Sequence, residues 1–359
     1  MGIKRIGILT SGGDCAGLNA AIRSVVLHAT KDFGWEVIGI RRATQGLMER
    51  PIDYMYLNSK TVEDVLVKGG TFLGTTNRGN PFKFPMPDGS VSDRSVDIAE
   101  GYELLNLDAL IGIGGDGSLA ILNRLATEGK MNFVGIPKTI DNDVAVTERS
   151  IGFDTAVNIA TEALDRLNFT AASHSRVMIL EVMGRDAGHI ALNAGIAGGA
   201  HIILIPEIPY HIDRVCRAVK ARQARGHSFT VAIVSEAVCD AGGETVTKSE
   251  QFGECRLGGI GQALAQEIGE KTGAEARVTV LGHVQRGGIP SPLDRLLASA
   301  FGVAAVDLVA QGKFGQVVTW QNRQVVSVPI EEAIATYQAV APNDALVKTA
   351  RGLGICLGD

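Results

Sequence analysis

The 359-residue sequence has no uninterrupted apolar run that approaches the ~20 residues needed to span a membrane. Its first apolar run, 6–9, is far too short for a signal peptide, although Lys4 and Arg5 precede it. We therefore expect a cytoplasmic protein that has no membrane partner.

The sequence also has few cysteines and no excess of positive charge. The five cysteines form no C-x-x-C pair and are odd in number, so neither a zinc site nor a disulfide framework is indicated. The formal net charge is −5, and lysine and arginine are scattered along the chain. Such a chain has no basic field for nucleic acid, so we expect no nucleic-acid partner and only local recognition of phosphate.

Apolar strands alternate with helical patterns along most of the chain. This alternation predicts an α/β protein with a mostly parallel, doubly wound sheet. At 359 residues the chain is long enough for two lobes, and we expect two doubly wound, mostly parallel, three-layer lobes with the active site between them. Near the C-terminus, 317–320 and 324–328 are predicted to form a hairpin, and Thr61 with Asp64 indicates a short capped helix.

The first predicted strand, 4–10, runs into Ser11-Gly12-Gly13-Asp14 and then a helix. Glycine lets the backbone approach a phosphate closely, and a helix N-terminus offers free N–H groups. A tight strand-to-helix turn requires glycine for steric reasons too, so this loop by itself does not decide between the two roles.

Two later strands end in loops that carry acids. The apolar run 133–136 leads into Pro137-Lys-Thr-Ile-Asp141-Asn-Asp143, and the run from Ala109 ends in Gly114-Gly-Asp116-Gly-Ser118. In an open α/β sheet, ligands bind at the carboxyl ends of the strands. The two loops therefore suit a metal ion, a phosphate and a proton acceptor, whereas the alternative for 137–143 is a polar turn that caps the next helix.

The glycine pattern 112–117 also matches G-x-G-x-x-G, which is typical of dinucleotide-binding dehydrogenases. In such an enzyme Asp116 would repel the pyrophosphate, whereas magnesium-assisted phosphoryl transfer uses both the metal-binding acid and a nearby base. A nucleotide sensor without catalysis would not need Asp141. NAD kinases and lipid kinases share a Gly-Gly-Asp-Gly turn but are not expected to carry the 139–143 loop, and no G-x-x-x-x-G-K-[ST] P-loop is present.

Six motifs together resemble the 6-phosphofructokinase family over residues 1 to about 310. They are Leu9-Thr-Ser-Gly-Gly-Asp14, Gly69-Gly-Thr-Phe-Leu-Gly74, Gly114-Gly-Asp-Gly-Ser118, 137–143, Met183-Gly-Arg185 and Leu281-Gly-His-Val-Gln-Arg-Gly-Gly288. The resemblance implies transfer of the γ-phosphoryl group of ATP to the 1-hydroxyl of fructose 6-phosphate, which gives fructose 1,6-bisphosphate in glycolysis. Mg²⁺ is the implied cofactor.

The resemblance also implies roles for individual residues. Asp141 is the expected base, Thr139 and Arg185 stabilise the transferring group, and Asp116 and Asp143 hold the metal. The donor set is Gly13, Arg78, Gly115, Gly117, Ser118 and Lys138. The sugar-phosphate set is Thr139, Asp141, Arg176, Met183, Gly184, Arg185, Glu236, Arg277, His283 and Arg286.

In this family Arg176 and Arg277 reach the substrate from a neighbouring subunit, so we expect a homo-oligomer arranged as a dimer of dimers. The expected lobes are a donor lobe, 1–150, completed by part of 285–335, and a sugar-phosphate lobe, 151–284, with an exposed insertion near 240–258. Residues 336–359 are expected to form a C-terminal extension.

The family pattern leaves the donor open between two compounds. Gly117 leaves room for the α-phosphate and ribose of ATP, whereas Lys138 is typical of the pyrophosphate-dependent enzymes. We predict ATP, with pyrophosphate as the alternative. The family usually has arginine where this chain has Asn77, so the contact of Arg78 with the donor is an open question.

Overall fold

The computed structural model describes residues 2–77, 79–240, 242–243, 247–251 and 254–359. Its helices are α1 (Leu18–Asp32), α2 (Gln45–Met48), α3 (Ser95–Leu104), α4 (Asp116–Glu128), α5 (Phe153–His174), α6 (His189–Ala197), α7 (Ile212–Ala224), α8 (Ile260–Thr272), α9 (Pro292–Ala310), α10 (Ile330–Ala335) and α11 (Ala345–Gly352).

The strands are β1 (Arg5–Thr10), β2 (Glu36–Ile40), β3 (Tyr54–Leu57), β4 (Phe84–Pro85), β5 (Val91–Ser92), β6 (Ala109–Gly114), β7 (Phe133–Thr139), β8 (Ile151–Gly152), β9 (Val177–Val182), β10 (Ile202–Leu204), β11 (Thr230–Ser235), β12 (Thr247–Gln251), β13 (Glu254–Leu257), β14 (Ala276–Val280), β15 (Gln316–Gln321) and β16 (Gln324–Pro329). The chain divides into unit 1, which holds 1–154 and 286–337, and unit 2, which holds 155–285 and 338–359.

Unit 1 is built on a mostly parallel sheet with the strand order β16-β15-β7-β6-β1-β2-β3, and β8 pairs with β7. Strands β15, β7, β6, β1 and β2 are parallel to one another, while β16 and β3 are antiparallel edge strands. Strands β1, β6 and β7 are buried along nearly their whole length, as expected when helices cover both faces of a sheet. The hairpin predicted at 317–328 is confirmed as β15 and β16.

Helices α1 and α9 pack on each other, and α4 packs with α3 and α10. The core on the α4 side consists of apolar side chains from α4 and from the strands beneath it, among them Leu119, Leu122, Phe133 and Ile38. The loops after β1 and β6 lead directly into α1 and α4, which are buried on one face, and the loop after β7 leads into β8.

Unit 2 contains a separate parallel sheet with the order β10-β11-β9-β14. Its core gathers apolar residues from α7, α8 and the sheet, including Val219, Leu264, Val177 and Val234. The last segment of the chain, 338–359, belongs to this unit: Cys356 forms a parallel bridge with Ile202 at the edge of the sheet. Within the predicted insertion, 240–258, β12 and β13 form an antiparallel pair. Residues 241, 244–246 and 252–253 of this insertion lie outside the described residues.

The short helix predicted at Thr61 is wrong. This stretch forms turns, and the Asn58 side chain accepts hydrogen bonds from the N–H groups of Lys60 at 2.9 Å and Thr61 at 3.1 Å. The Thr61 hydroxyl accepts the Asn58 N–H and donates to the Asn58 carbonyl, both at 2.8 Å, so it bonds the preceding turn and does not cap a helix that would begin after it. Of the helices in the described ranges, none has the length and apolar character needed to cross a membrane.

Gly302 is expected to be required where α9 meets α1. A Cβ on Gly302 would overlap the Ser24 hydroxyl and approach the Ala21 carbonyl oxygen to 2.8 Å. Gly302→Ala should lower the free energy of unfolding by about 1–3 kcal/mol, the usual cost of overpacking. In Gly269→Ala the new methyl meets only an ordinary contact at 3.6 Å, so this control should be neutral or stabilised. Equal stability of both variants in urea titrations would contradict the packing argument.

Candidate active site

The glycine loop after β1 is held by its backbone in unit 1. The Ser11 N–H donates to the Ile113 carbonyl at 2.8 Å, and the Gly12 N–H donates to the Thr76 carbonyl at 3.0 Å. The Thr75 hydroxyl donates to the Gly12 carbonyl at 2.7 Å. Gly12 has φ +83°, in the left-handed region that favours glycine. The loop thus lies fixed between the end of β6 and the segment that contains Thr75 and Thr76.

A side chain at Gly12 would be strained and crowded, and one at Gly13 would have to displace the end of the Arg286 side chain. A Cβ on Gly12 would lie 2.7 Å from the Ser118 Oγ, and a Cβ on Gly13 would lie 2.5 Å from the Arg286 Nη1. Ser118 belongs to the first turn of α4, which begins at Asp116. The glycine backbone and the N-terminus of a helix are therefore close together, an arrangement that suits a phosphate.

Lys138 brings an ammonium group to the same loop. The residue is 4% exposed, and its Nζ donates a hydrogen bond to the Gly13 carbonyl. The Nζ also lies 3.5 Å from the position that a Cβ on Gly12 would take. A lysine ammonium is a compact point charge, so it can attract a phosphate group that approaches this backbone.

The Asp141 carboxylate is buried at the end of β7, with 3% of the residue exposed. Its N–H donates to the Thr139 Oγ1 at 3.1 Å, and the Thr139 hydroxyl donates to the Asp141 Oδ2 at 3.4 Å. Strands β6 and β7 pair in parallel, with Gly114 opposite Pro137. The prediction that the two acid-bearing loops leave one sheet edge is therefore confirmed.

Asp143 is buried next to other acids. Burial first, and then the negative charges of Asp141 and Asp116, raises the pKa of the Asp143 carboxyl to about 6. Its Oδ1 is buried and has no hydrogen-bond partner among the described residues. An unsatisfied carboxylate oxygen among like charges is a position where a cation would be stabilised.

The acids suit a magnesium ion that is shared with a phosphate ligand. In the part of the chain that the structure describes, no three His, Cys, Asp or Glu side chains form a complete metal cluster. Magnesium is typically held by one or two carboxylates together with substrate phosphates and water, not by a cage of protein ligands. Asp143, with its unsatisfied oxygen, and the half-buried Asp116 fit this mode.

Asn142, between the two acids, has a role that the sequence analysis did not assign. It has φ +55°, and its Oδ1 accepts the Ser150 N–H at 2.9 Å. The Ser150 hydroxyl donates to the Thr139 carbonyl at 2.8 Å. These contacts tie the start of the loop to its end, so the turn that carries both acids is closed on itself.

Arg286 lies against the glycine loop of unit 1. Its Nη1 donates to the Asp14 carbonyl at 3.3 Å. The sequence analysis assigned Arg286 to the sugar phosphate. In this structure its guanidinium contacts the backbone next to Gly13, a residue of the predicted donor set.

In unit 2, a second set of predicted site residues follows the carboxyl ends of β9 and β11. The Arg185 N–H donates to the Glu236 Oε1 at 3.2 Å. Gly184 and Arg185 both have positive φ, 153° and 48°. The strained turn after Met183 thus brings the Arg185 backbone to the carboxylate that follows β11, and the Arg185 residue is exposed.

His283 is exposed in a 3₁₀ turn after β14, beyond the same edge of this sheet. The neighbouring Gln285 is buried, and its Oε1 accepts the Met183 N–H at 2.8 Å. Gln285 therefore supports the turn that carries Gly184 and Arg185. The sequence analysis quoted Gln285 within a motif but gave it no role.

Arg176 and Arg277 lie near the opposite edge of the unit 2 sheet. Both contact the Glu275 carboxylate, at 2.9 Å from the Arg176 Nε and 2.5 Å from the Arg277 Nη2. Arg277 lies opposite Met178, five residues before Met183, which is about 16 Å of strand at ~3.3 Å per residue. The two arginines are thus separated from the Met183–Arg185 turn of their own chain. Arg78 lies outside the described residues.

Comparison with known proteins shows extensive similarity. A family model described as phosphofructokinase matches residues 5–309. The chain is 69% identical over 357 residues to the ATP-dependent 6-phosphofructokinase 1 of Synechocystis sp., and the match covers 99% of each chain. It is 67% identical over 356 residues to the protein of the same name from Nostoc sp., again covering 99% of each chain.

A solved structure has a similar fold. The phosphofructokinase of Saccharomyces cerevisiae matches with a TM-score of 0.81 at 29% identity. The match covers 92% of this chain and 45% of the yeast chain, so this chain spans less than half the length of that relative.

Proposed function

The chain belongs to the phosphofructokinase family, and we propose on that premise that it transfers the γ-phosphoryl group of ATP to the 1-hydroxyl of fructose 6-phosphate. The observation that carries this proposal is the parallel pairing of β6 and β7 beside β1. This pairing supports a site at one edge of the sheet that is formed by the glycine loop after β1, the buried Lys138 ammonium and the acids Asp116, Asp141 and Asp143. The family assignment gives no support to the two alternatives, a dinucleotide-binding dehydrogenase and a nucleotide sensor without catalysis.

Asp141 is the proposed general base. It accepts the proton of the 1-hydroxyl as the oxygen attacks the γ-phosphorus, and the bond from phosphorus to the leaving oxygen of ADP breaks. The hydrogen bonds between Asp141 and Thr139 support this role, because they fix the carboxylate relative to β7. Thr139 and Arg185 are proposed to stabilise the charge on the transferring group.

The donor is proposed to bind the glycine backbone at Gly13, the turn from Gly115 to Ser118, and Lys138. The crowded, positive-φ position of Gly12 and the Arg286 guanidinium next to Gly13 support this role, since a bare backbone leaves that surface open to a phosphate. We propose that Asp116 and Asp143 hold Mg²⁺, which would neutralise charge on the donor phosphates when bound. Arg78 keeps its proposed donor contact as a hypothesis from sequence alone.

The acceptor is proposed to bind residues of unit 2, namely Met183, Gly184, Arg185, Glu236 and His283, together with Arg286. The bond from Arg185 to Glu236 supports a shared position for a sugar hydroxyl and a phosphate. Arg176 and Arg277 are proposed to serve the site of a second copy in a homo-oligomer arranged as a dimer of dimers. Their distance from Met183 along the sheet supports this assignment.

Pyrophosphate is the second candidate donor, because the buried Lys138 ammonium next to Gly13 favours a small, highly charged ligand. Two considerations favour ATP. Gly117 is exposed and adds no side chain in the first turn of α4, and the relatives at 69% and 67% identity are named ATP-dependent enzymes.

Purified protein should form fructose 1,6-bisphosphate from fructose 6-phosphate with ATP and Mg²⁺, and much more slowly with pyrophosphate. Product should be measured directly, with each donor at saturation and with EDTA as the metal-free control. Faster turnover with pyrophosphate would show that pyrophosphate, and not ATP, is the preferred donor. The absence of product with either donor would overturn the proposed function.

A further inference from the structure

The loop that carries Asp141 and Asp143 is an arc, 140–150, that leaves β7 and returns to pair with it as β8. Its two ends are closed by the contact between Asn142 and Ser150. Its middle, 144–149, contains Val146 at φ +61°. A β-branched residue in the left-handed region is a true outlier, and such strain persists only where surrounding structure holds it.

The β15–β16 hairpin supplies this hold. The Gln321 Nε2 donates to the Val146 carbonyl at 2.7 Å, and the Trp320 N–H donates to the Thr147 Oγ1 at 3.0 Å. The Glu148 N–H donates to the Trp320 carbonyl at 2.9 Å. The hairpin lies beyond residue 309, where the match to the family model ends.

The hairpin itself is rigidly placed within unit 1. Its first strand pairs in parallel with β7, the strand that ends at Thr139. Its turn residues, Asn322 and Arg323, have φ of 50° and 63°, as a tight two-residue hairpin requires. Strand β15 therefore pairs with the strand from which the arc starts, and it also carries the Gln321 amide that bonds the middle of the arc.

We propose that Gln321 is a positioning residue for phosphoryl transfer, because it holds Val146 in its strained conformation and so keeps the arc closed behind Asp141. Gln321 is 175 positions from Val146. Among the described residues its side-chain amide donates to the Val146 carbonyl and the Thr319 hydroxyl and to neither acid, so it acts through the arc. This inference rests on the proposed function. A misplaced base slows transfer more than it weakens binding, since binding involves many other groups.

Gln321→Met removes the donor and keeps the length of the side chain. We expect kcat to fall by about 10-fold, within the ~10²-fold that a displacement of ~1 Å costs, while KM for both substrates changes little. The control is Gln324→Met, the same change across the turn at an exposed position, which should leave kcat unaltered. An unchanged kcat in Gln321→Met, or a loss that merely follows the unfolded fraction, would overturn the proposal.

Val146→Gly tests the route of the effect. Glycine adopts the left-handed conformation without strain, so Gln321→Met should lower kcat less in this background than in the wild type. Equal losses in both backgrounds would show that Gln321 does not act through Val146.

Thr147→Val and Thr147→Ser test the second contact between the hairpin and the arc. Only the serine variant keeps the hydroxyl that accepts the Trp320 N–H, so only it should retain kcat. Equal kcat values for the two would also count against the proposal.

Hydrogen exchange supplies a readout that does not depend on activity. The Ser150 amide is bonded to Asn142 across the arc, so its exchange should become faster in Gln321→Met and stay unchanged in Gln324→Met. An inactive wild type would overturn the proposed function, and Ser150 exchange would still decide whether Gln321 holds the arc. Unaltered exchange together with unaltered kcat would refute the positioning role.

Discussion

Asp141→Asn is expected to reduce turnover by about 10²–10⁴-fold or more, the range lost when a positioned general base is removed. The amide has nearly the same shape as the carboxylate but cannot accept the proton of the attacking hydroxyl. The backbone contact of Asp141 with Thr139 does not involve the changed group, so the loop should keep its conformation. The measurement is kcat with ATP and fructose 6-phosphate at saturation.

Stability should not fall together with activity in this variant. The charge of Asp141 is one of the causes that raise the pKa of Asp143, so the two buried acids repel each other in the metal-free protein. Removing one charge should leave the unfolding temperature unchanged or higher when EDTA is present. The exposed Asp64→Asn is the matched control and should alter neither property.

A variant that retains near wild-type kcat would remove Asp141 from the mechanism. A variant that loses kcat together with a lower unfolding temperature would point instead to a damaged loop. The two measurements together therefore separate loss of the base from loss of the fold.

Most of the fold and the acid loops could be predicted because their signals are local. Each of the two apolar runs is followed directly in the sequence by its acid motif, Gly-Asp in one case and Thr-Ile-Asp-Asn-Asp in the other. The parallel pairing of β6 with β7 then follows from the alternation of strands and helices. The hairpin at β15 and β16 was also readable from two short apolar runs.

The parts that could not be predicted depend on contacts between distant positions or on side chains that bond their own backbone. Nothing in the sequence near Gln321 indicates that its amide meets Val146, 175 positions away. Thr61 and Asp64 match a helix-capping pattern, but the Thr61 hydroxyl bonds the Asn58 backbone instead. Arg286 belongs to a recognisable motif, yet its contact with Asp14 depends on how a distant loop folds back.

The donor depends on two positions that favour different compounds. Lys138 is buried with its ammonium on the Gly13 carbonyl, where it can attract a phosphate of either donor. We propose that Gly117 decides whether the larger donor is admitted, because a carboxylate there would meet the α-phosphate and ribose of ATP. A Cβ at Gly117 would meet no atom within 4 Å, so the protein itself tolerates a side chain at this position.

Gly117→Asp should therefore fold normally and reduce kcat/KM for ATP by about 10²-fold, equivalent to about 2.7 kcal/mol, with a much smaller effect on pyrophosphate. An acid in the first turn of α4 is also favourable to the helix dipole, so no loss of stability is expected. Gly117→Asn has the same size without the charge and separates steric exclusion from repulsion of the phosphates. Equal losses with both donors would mean that position 117 acts on the shared phosphate site or the metal. If the wild type itself turns over faster with pyrophosphate at saturating Mg²⁺, Lys138 outweighs Gly117 in selecting the donor.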